Sequence, residues 1–363
     1  MLEQPSPPAN AVATNHGITS RRITISPYPK KWLVPRNVKR FSSEFIALPF
    51  GPLLRSTKFR EANDAEQVLF CKHWPCQTIP VTIGIVGLGL IGGSIGLALR
   101  ASRHKLIGCD PNPEHVRVAL ERGCVDVPAE LSEVAKADVV FVAIPPAIVT
   151  NVLAEIEESL GPNTVVTDCT SVKSEIVAWA TEQKATWFVP GHPMAGHEKG
   201  GPQFASAWLF RNARWILTPV GKSTSNLKVL ETLITEMGAK PVRISAEDHD
   251  RHVAILSHLP HVLAGQLVLN ASELSHVDAA GGSWKDWTRV AGVDPELWSQ
   301  ILLGNRTAVS SGLREFAKEL ETLASQLDAG DAAALKKFFV SAAAAKAKLP
   351  KNAGDDVTGT KKR

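Results

Sequence analysis

The chain has 363 residues, 44% apolar and 21% charged, which is the balance of an ordinary soluble protein with room for two domains. Its formal charge of +4 is unevenly placed: residues 1–80 hold 11 Lys/Arg against 5 Asp/Glu, and residues 81–363 hold 29 against 31. The near-neutral body excludes a nucleic-acid footprint, and five scattered cysteines exclude a disulfide framework.

Residues 1–80 contain 10 of the 24 prolines and show no sustained helical or strand period. Three readings stay open: a disordered basic extension, an Arg- and Ser-rich targeting peptide, or upstream sequence from a wrongly assigned start. Within it, "CKHWPC" (71–76) could suggest a metal, but no second Cys/His pair follows at zinc spacing, so no metal is expected.

Regular structure is predicted to begin at Val81. The stretch "VTIGIVGLGLIGGSIGLALR" (81–100) is apolar enough to resemble a membrane span. Its order argues otherwise: a β-branched strand, then Gly87-Leu88-Gly89-Leu90-Ile91-Gly92, then helical spacing, then "KLIGCD", which ends at Asp110, 18 residues after Gly92. That order predicts a dinucleotide-binding turn. Gly87 permits the tight turn, Gly89 lets a pyrophosphate approach the backbone, and Gly92 lets the helix pack against the strand. The helix N-terminus offers free N–H groups to the phosphates. Asp110 would accept from the adenosine ribose hydroxyls and repel a 2′-phosphate, which favours NAD over NADP. Leu90 and Ile91 inside the turn, and Pro145 after the strand "DVVFVAIPP", are further cofactor candidates.

"TVVTDCTS" (164–171) is a further strand, and "WFVPGHP" (187–193) and "RWILTPV" (214–220) are expected to extend the same sheet. Strands alternating with helices predict a Rossmann-type, doubly wound α/β domain over 81–244, with ligands beyond the C-terminal strand ends. After "KPVRI" (240–244) no strand signal appears, and an all-helical region is expected over 245–349, followed by a short tail at 350–363. Pro260 in "SHLPH" should kink its helix.

Two strand ends are unusually polar: "DCTSVKSE" and "GHPMAGHEKGG". Hydride transfer from an alcohol carbon also requires loss of the hydroxyl proton, and a neutral imidazole such as His192 suits that task. Ser171 would hold the same hydroxyl or orient the imidazole. Taken alone, a single His at a strand end is more often a structural hydrogen-bonding group, and His197 is given no role.

On "GLGLIGGSIGLAL", "SVK", "GHPMAGHEKGG", "DHDRHVAILSHLPHVLAGQL" and "WKDWTRVAGVDPELWSQILLGN", in that order over about residues 80–330, the chain resembles the prephenate/arogenate dehydrogenases of tyrosine biosynthesis. The resemblance implies an NAD-binding Rossmann domain and a helical C-terminal domain that completes the substrate site and forms a homodimer. It also implies oxidative decarboxylation of prephenate to 4-hydroxyphenylpyruvate, with arogenate as the alternative substrate. His192 then corresponds to the catalytic base and Ser171 to its partner. Arg289 corresponds to the substrate-carboxylate binder, His261 and Trp298 to pocket residues, and Asp286 and Glu198 to the charged groups that arrange the pocket. Neither a fused chorismate mutase nor an appended regulatory domain is expected in the stretches outside 81–349. No nucleic-acid or membrane partner is expected, and the core, without an export signal and with cysteines that look reduced, points to the cytoplasm.

Overall fold

The structure, a computed structural model, describes residues 80–197, 199–221 and 224–349. The readings for residues 1–79, for the terminal tail and for Glu198 therefore lie outside the described residues.

A five-stranded parallel sheet has the order β3-β2-β1-β4-β5, built from β1 (Thr82–Val86), β2 (Lys105–Cys109), β3 (Val127–Pro128), β4 (Val139–Val142) and β5 (Val165–Asp168). Helices α1 (Leu90–Leu99), α2 (Pro113–Glu121), α3 (Leu131–Val134), α4 (Val149–Glu157), α5 (Ser174–Glu182) and α6 (Thr224–Glu236) complete this half. The central strands β1 and β4 are apolar almost throughout because both faces are covered. In β4, Val139 and Phe141 enter one apolar layer with Ile83, Leu106 and Trp215. Val140 and Val142 enter the other, with Leu153, Ile156 and Phe188. Successive side chains point to opposite faces, so one strand serves two cores. Each fully buried large apolar side chain contributes roughly 1.5–3 kcal/mol.

The strands that follow do not extend this sheet in the expected way. Gly191–Pro193 (β6), Arg214–Leu217 (β7) and Lys240–Arg243 (β8) form a separate three-stranded sheet, with β6–β7 antiparallel and β7–β8 parallel. A single bridge, Val166 to Phe188, links the segment before β6 to β5. The physical reason lies in Pro190, which has no N–H to continue the ladder. The next donor, Gly191 N, turns instead to the Asp168 carboxylate at 3.0 Å.

Beyond β8 all regular structure among the described residues is helical: α7 (Ala246–Val253), a π-helical turn (Ala254–His258), α8 (Leu259–Ala271), α9 (Gly282–Thr288), α10 (Pro295–Gly304), α11 (Arg306–Asp328) and α12 (Ala332–Lys348), with two short 3₁₀ turns. Ser245 caps α7 by accepting from Asp248 N, and Asp294 caps α10 by accepting from Leu297 N. Each satisfies one of the unpaired donors of a first turn. At Pro260 the helix solves its missing N–H with the widened turn just upstream. Few residues here are buried; the small core is Ala254, Leu259 and Val309.

Candidate active site

The cofactor end is made of backbone. Gly87 sits at φ +90°, and a Cβ there would come within 2.3 Å of Ala143 O. Gly92 is tighter still, because a Cβ would lie 1.9 Å from Gly87 O and 3.0 Å from Ile85 on β1. Gly89 is different: a Cβ would meet nothing within 4 Å, so the turn is open on the side where a ligand would approach. Helix α1 has Gly89 as its N-cap with no side chain capping it, which leaves first-turn N–H groups available to phosphates. Leu90 and Ile91 form the opening of that helix, and Pro145 stands three residues beyond the end of β4.

Asp110, at the end of β2, reaches back to the turn. Its Oδ2 accepts from Leu88 N at 2.7 Å and its Oδ1 from Asn112 N at 2.8 Å. The His115 ring lies 3.3 Å from the same carboxylate, whose hydrogen bond and charge raise the His115 pKa above its ordinary value. The residues therefore fit a dinucleotide: a glycine turn open at Gly89, an uncapped helix and an acidic group at the ribose position.

The catalytic end is made of buried side chains. His192 lies on β6, registered against Ile216 of β7, and only 7% of it is exposed. Burial drives its pKa well below the usual imidazole value, and the charges of His249, Lys173 and His258 act in the same direction. A neutral ring is the form able to take a proton. Its Nδ1 is 2.8 Å from His249 Nε2, and His249 Nδ1 is 2.7 Å from Asp250 Oδ1. Asp250 also accepts from the backbone N–H groups of Lys173 and Ser174, both at 2.8 Å. Burial opposes its charge, but the hydrogen bonds from His249, Ser174 and Lys173 hold its carboxyl below the usual range.

Ser171 is half-buried in the turn between β5 and α5. That turn is anchored on both sides. Asp168 receives the fully buried Lys173 ammonium, Thr170 Oγ1 and Gly191 N, which ties the turn to the strand bearing His192. A buried ion pair of this kind stands only because its remaining valences are filled.

A second cluster belongs to the helices. His261 stacks on Trp298 with ring centroids 3.8 Å apart and planes at 27°. His261 Nδ1 donates to Ser257 O at 2.8 Å, so its Nε2 lone pair stays free. Its pKa is lowered, first by burial, with the positive charge of Arg289 adding to the effect. Arg289 thus lies close to the His261–Trp298 pair, on an exposed 3₁₀ turn after α9. Asp286 is exposed on α9, and among the described residues neither Asp286 nor Arg289 is in an ion pair. His197 stacks on Phe204 and accepts from Lys199 N.

His258 joins the two clusters. It is 1% exposed, packs edge-on to Trp298 at 6.1 Å, and its pKa is pushed down to about 4 by burial. Asn305 Nδ2 donates to Asp250 O at 2.7 Å and lies 3.2 Å from His258 Nδ1. Cofactor and substrate ends also meet directly, since Gln300, two residues after Trp298, accepts from Ala147 N at 3.3 Å. The structure therefore gathers His192, the Ser171 turn, His261, Trp298 and Arg289 around one region. It adds Asp168, Lys173, His249, Asp250 and Asn305, which the motifs contained but to which sequence reasoning gave no role.

A glycine turn for a dinucleotide, with a buried neutral histidine beside a basic and aromatic pocket, defines a nicotinamide-dependent dehydrogenase. The comparisons specify which. Residues 95–243 match the family described as "Prephenate dehydrogenase, nucleotide-binding domain", and residues 245–341 match "Prephenate dehydrogenase, dimerization domain". A prephenate dehydrogenase of Bacillus subtilis is 34% identical over 72% of this chain and 74% of its own length. A cyclohexadienyl dehydrogenase of Zymomonas mobilis is 31% identical over 72% of this chain and 94% of its own. Among solved structures, a prephenate dehydrogenase from Aquifex aeolicus in complex with hydroxyphenyl propionate and NAD+ is similar, with a TM-score of 0.70, 29% identity, and 76% of this chain and 100% of that one covered. The chain belongs to the prephenate dehydrogenase family and is, with that family, an NAD-dependent oxidoreductase.

Proposed function

We propose that the protein converts prephenate to 4-hydroxyphenylpyruvate and carbon dioxide with reduction of NAD, in tyrosine biosynthesis. The observation that carries the reading is the buried, neutral His192 beside the Ser171 turn, facing the region where Arg289, His261 and Trp298 meet. Bound NAD supplies the hydride acceptor. The chain's own work is to align the ring, hold its charges and accept a proton.

His192 Nε2 accepts the ring-hydroxyl proton as the hydride leaves the same carbon. Ser171 holds that hydroxyl. Arg289 grips a substrate carboxylate, for which a guanidinium fork is the matching shape. His261 and Trp298 form a flat wall against the ring, and Asp286 balances the charge around Arg289. When the ring carboxylate departs as carbon dioxide, its bonding electrons complete the aromatic ring. The resulting phenolate oxygen takes the proton back from His192, which returns to its starting state. Gly87, Gly89, Leu90, Ile91, Gly92, Asp110 and Pro145 hold the dinucleotide.

The division of labour follows the fold, with 81–244 as the cofactor domain and 245–349 as the substrate and dimerisation domain. The helical part exposes Leu256, Leu269, Leu303 and Phe339 at 64–74%. We read these as the surface that a second copy covers, and place the homodimer in the cytoplasm. Arogenate is the second reading, favoured by the likeness to an arogenate dehydrogenase of Synechocystis (TM-score 0.65, 30% identity, 74% of this chain and 99% of that one covered). The test offers prephenate and arogenate separately to the protein with NAD and follows NADH absorbance. A large preference for prephenate supports the first reading and a preference for arogenate the second. Silence from both, with NAD still bound, overturns the two together.

A further inference from the structure

We propose that His249 is a positioning residue for His192: together with Asp250 it fixes the proton on His192 Nδ1 and so presents Nε2 as the lone pair that meets the substrate hydroxyl. The inference rests on the reading of His192 as proton acceptor and deepens it.

The chain of donors can be read from its anionic end. An ionised carboxylate only accepts hydrogen bonds, and Asp250 already receives two from the backbone of Lys173 and Ser174. The His249 nitrogen 2.7 Å from Asp250 Oδ1 must therefore carry a proton. In the neutral ring that leaves His249 Nε2 as an acceptor, and it faces His192 Nδ1 at 2.8 Å. His192 Nδ1 must then be the donor, and its Nε2 is bare. Which nitrogen of a histidine carries the proton is set by the partner of the other.

Among the described residues, neither ring has a side-chain hydrogen-bond partner outside this chain of donors. Both rings are buried, at 7% and 0% exposed, with centroids 5.0 Å apart and planes at 67°. The other titratable groups acting on His192 are Lys173 and His258. Lys173 is already committed to Asp168 and Thr170, and His258 lies beside Asn305. The arrangement has a second consequence. The same carboxylate that orders the rings also holds the backbone just after Ser171, so one anion registers the base against the turn that carries its partner. When His192 accepts the proton at Nε2, its Nδ1–H bond to His249 shortens and shares the new charge. No proton needs to move further, and the one taken is returned to the phenolate oxygen.

The experiment uses the full-length protein and the variants His249→Leu, His249→Gln and His192→Asn. NAD affinity, KM, and kcat across pH are measured for each, with the nitrogen-15 spectrum of the histidines in the wild type. The expected result for His249→Leu is a kcat lower by roughly 100-fold, within the range of a general base, with NAD affinity unchanged and KM within a few-fold. His249→Gln, whose amide oxygen can accept from His192 Nδ1, should recover at least about tenfold of that loss. The wild-type spectrum should show His192 protonated on Nδ1. A wild-type His192 protonated on Nε2 overturns the proposal even if His249→Leu fails to fold. So does a His249→Gln no better than a folded His249→Leu. An active His192→Asn would instead overturn the reading of His192 as base, and so the two failures are distinguishable.

Discussion

The two halves of the molecule build their sites from different materials. In the parallel-sheet half the cofactor end is backbone: Gly87 and Gly92 with no room for a Cβ, and a helix left uncapped. Its core is closed on both faces of the sheet. In the helical half the site is side chain, with His258, His261 and Trp298 stacked on helices whose outer surfaces are open apolar patches. The first half should therefore be intolerant of added atoms, and the second of lost ones. His192 belongs to the first half by chain and to the second by contact, since its hydrogen-bond partner is on α7.

That contrast can be broken most severely at the junction. Replacing His192 by Asn should lower kcat by about 10²–10⁴-fold while NAD affinity holds, as read from NADH formation and cofactor titration. On the backbone side, Gly92→Ala forces a methyl against Gly87 O and should cost about 1–3 kcal/mol of stability and most NAD binding, measured by denaturant melts and titration. On the side-chain side, Arg289→Ala should raise KM by roughly 10- to 100-fold, the worth of a charged hydrogen bond, with folding and NAD affinity intact. If instead Gly92→Ala spared NAD and Arg289→Ala abolished it, the division would be wrong.

Acid offers a milder test. His258 has a folded-state pKa pushed down to about 4, below that of an unfolded imidazole, so its contribution to stability is present above about pH 6.5 and is lost as the pH falls toward 4. The melting temperature should drop across that window, and His258→Asn should flatten the drop. His192 is depressed in the same direction, so kcat/KM should rise with pH through an apparent pKa below the usual imidazole value and then level. An acid limb centred at or above that value would contradict a buried neutral base.

What the sequence disclosed follows the same contrast. The cofactor end was legible because a sharp turn and a close helix demand glycine at fixed spacing, and Gly87, Gly89 and Gly92 carry that demand within one short stretch. The hydrogen-bonded pair behind His192 was not, because His249 is 57 residues away in sequence and meets it only through folding. A signal did exist: "DHD" (248–250) sits in the charged start of the helix at Ala246–Val253, and yet two of its three residues are buried. The second sheet was misjudged because the apolar runs of 187–193 and 214–220 read as extensions of the first sheet, whereas Pro190 interrupts the ladder and β6 pairs antiparallel with β7. The helices after residue 245 were legible as helices, but the remedy for Pro260 was not, since a widened turn leaves no residue signature of its own.

That widened turn at Ala254–His258 sets the phase of everything after it. Twelve residues separate His249 from His261. In an unbroken α-helix they would point about 120° apart, but one extra residue in a turn reduces the offset to roughly 20°. The bulge acts as an angular spacer that brings both histidines to one side of a single rod. Forcing that segment into a regular turn with no residue removed would rotate His261 by about 100° and swing it off its stacked tryptophan, whereas deleting one residue there would give a regular helix that keeps the phase.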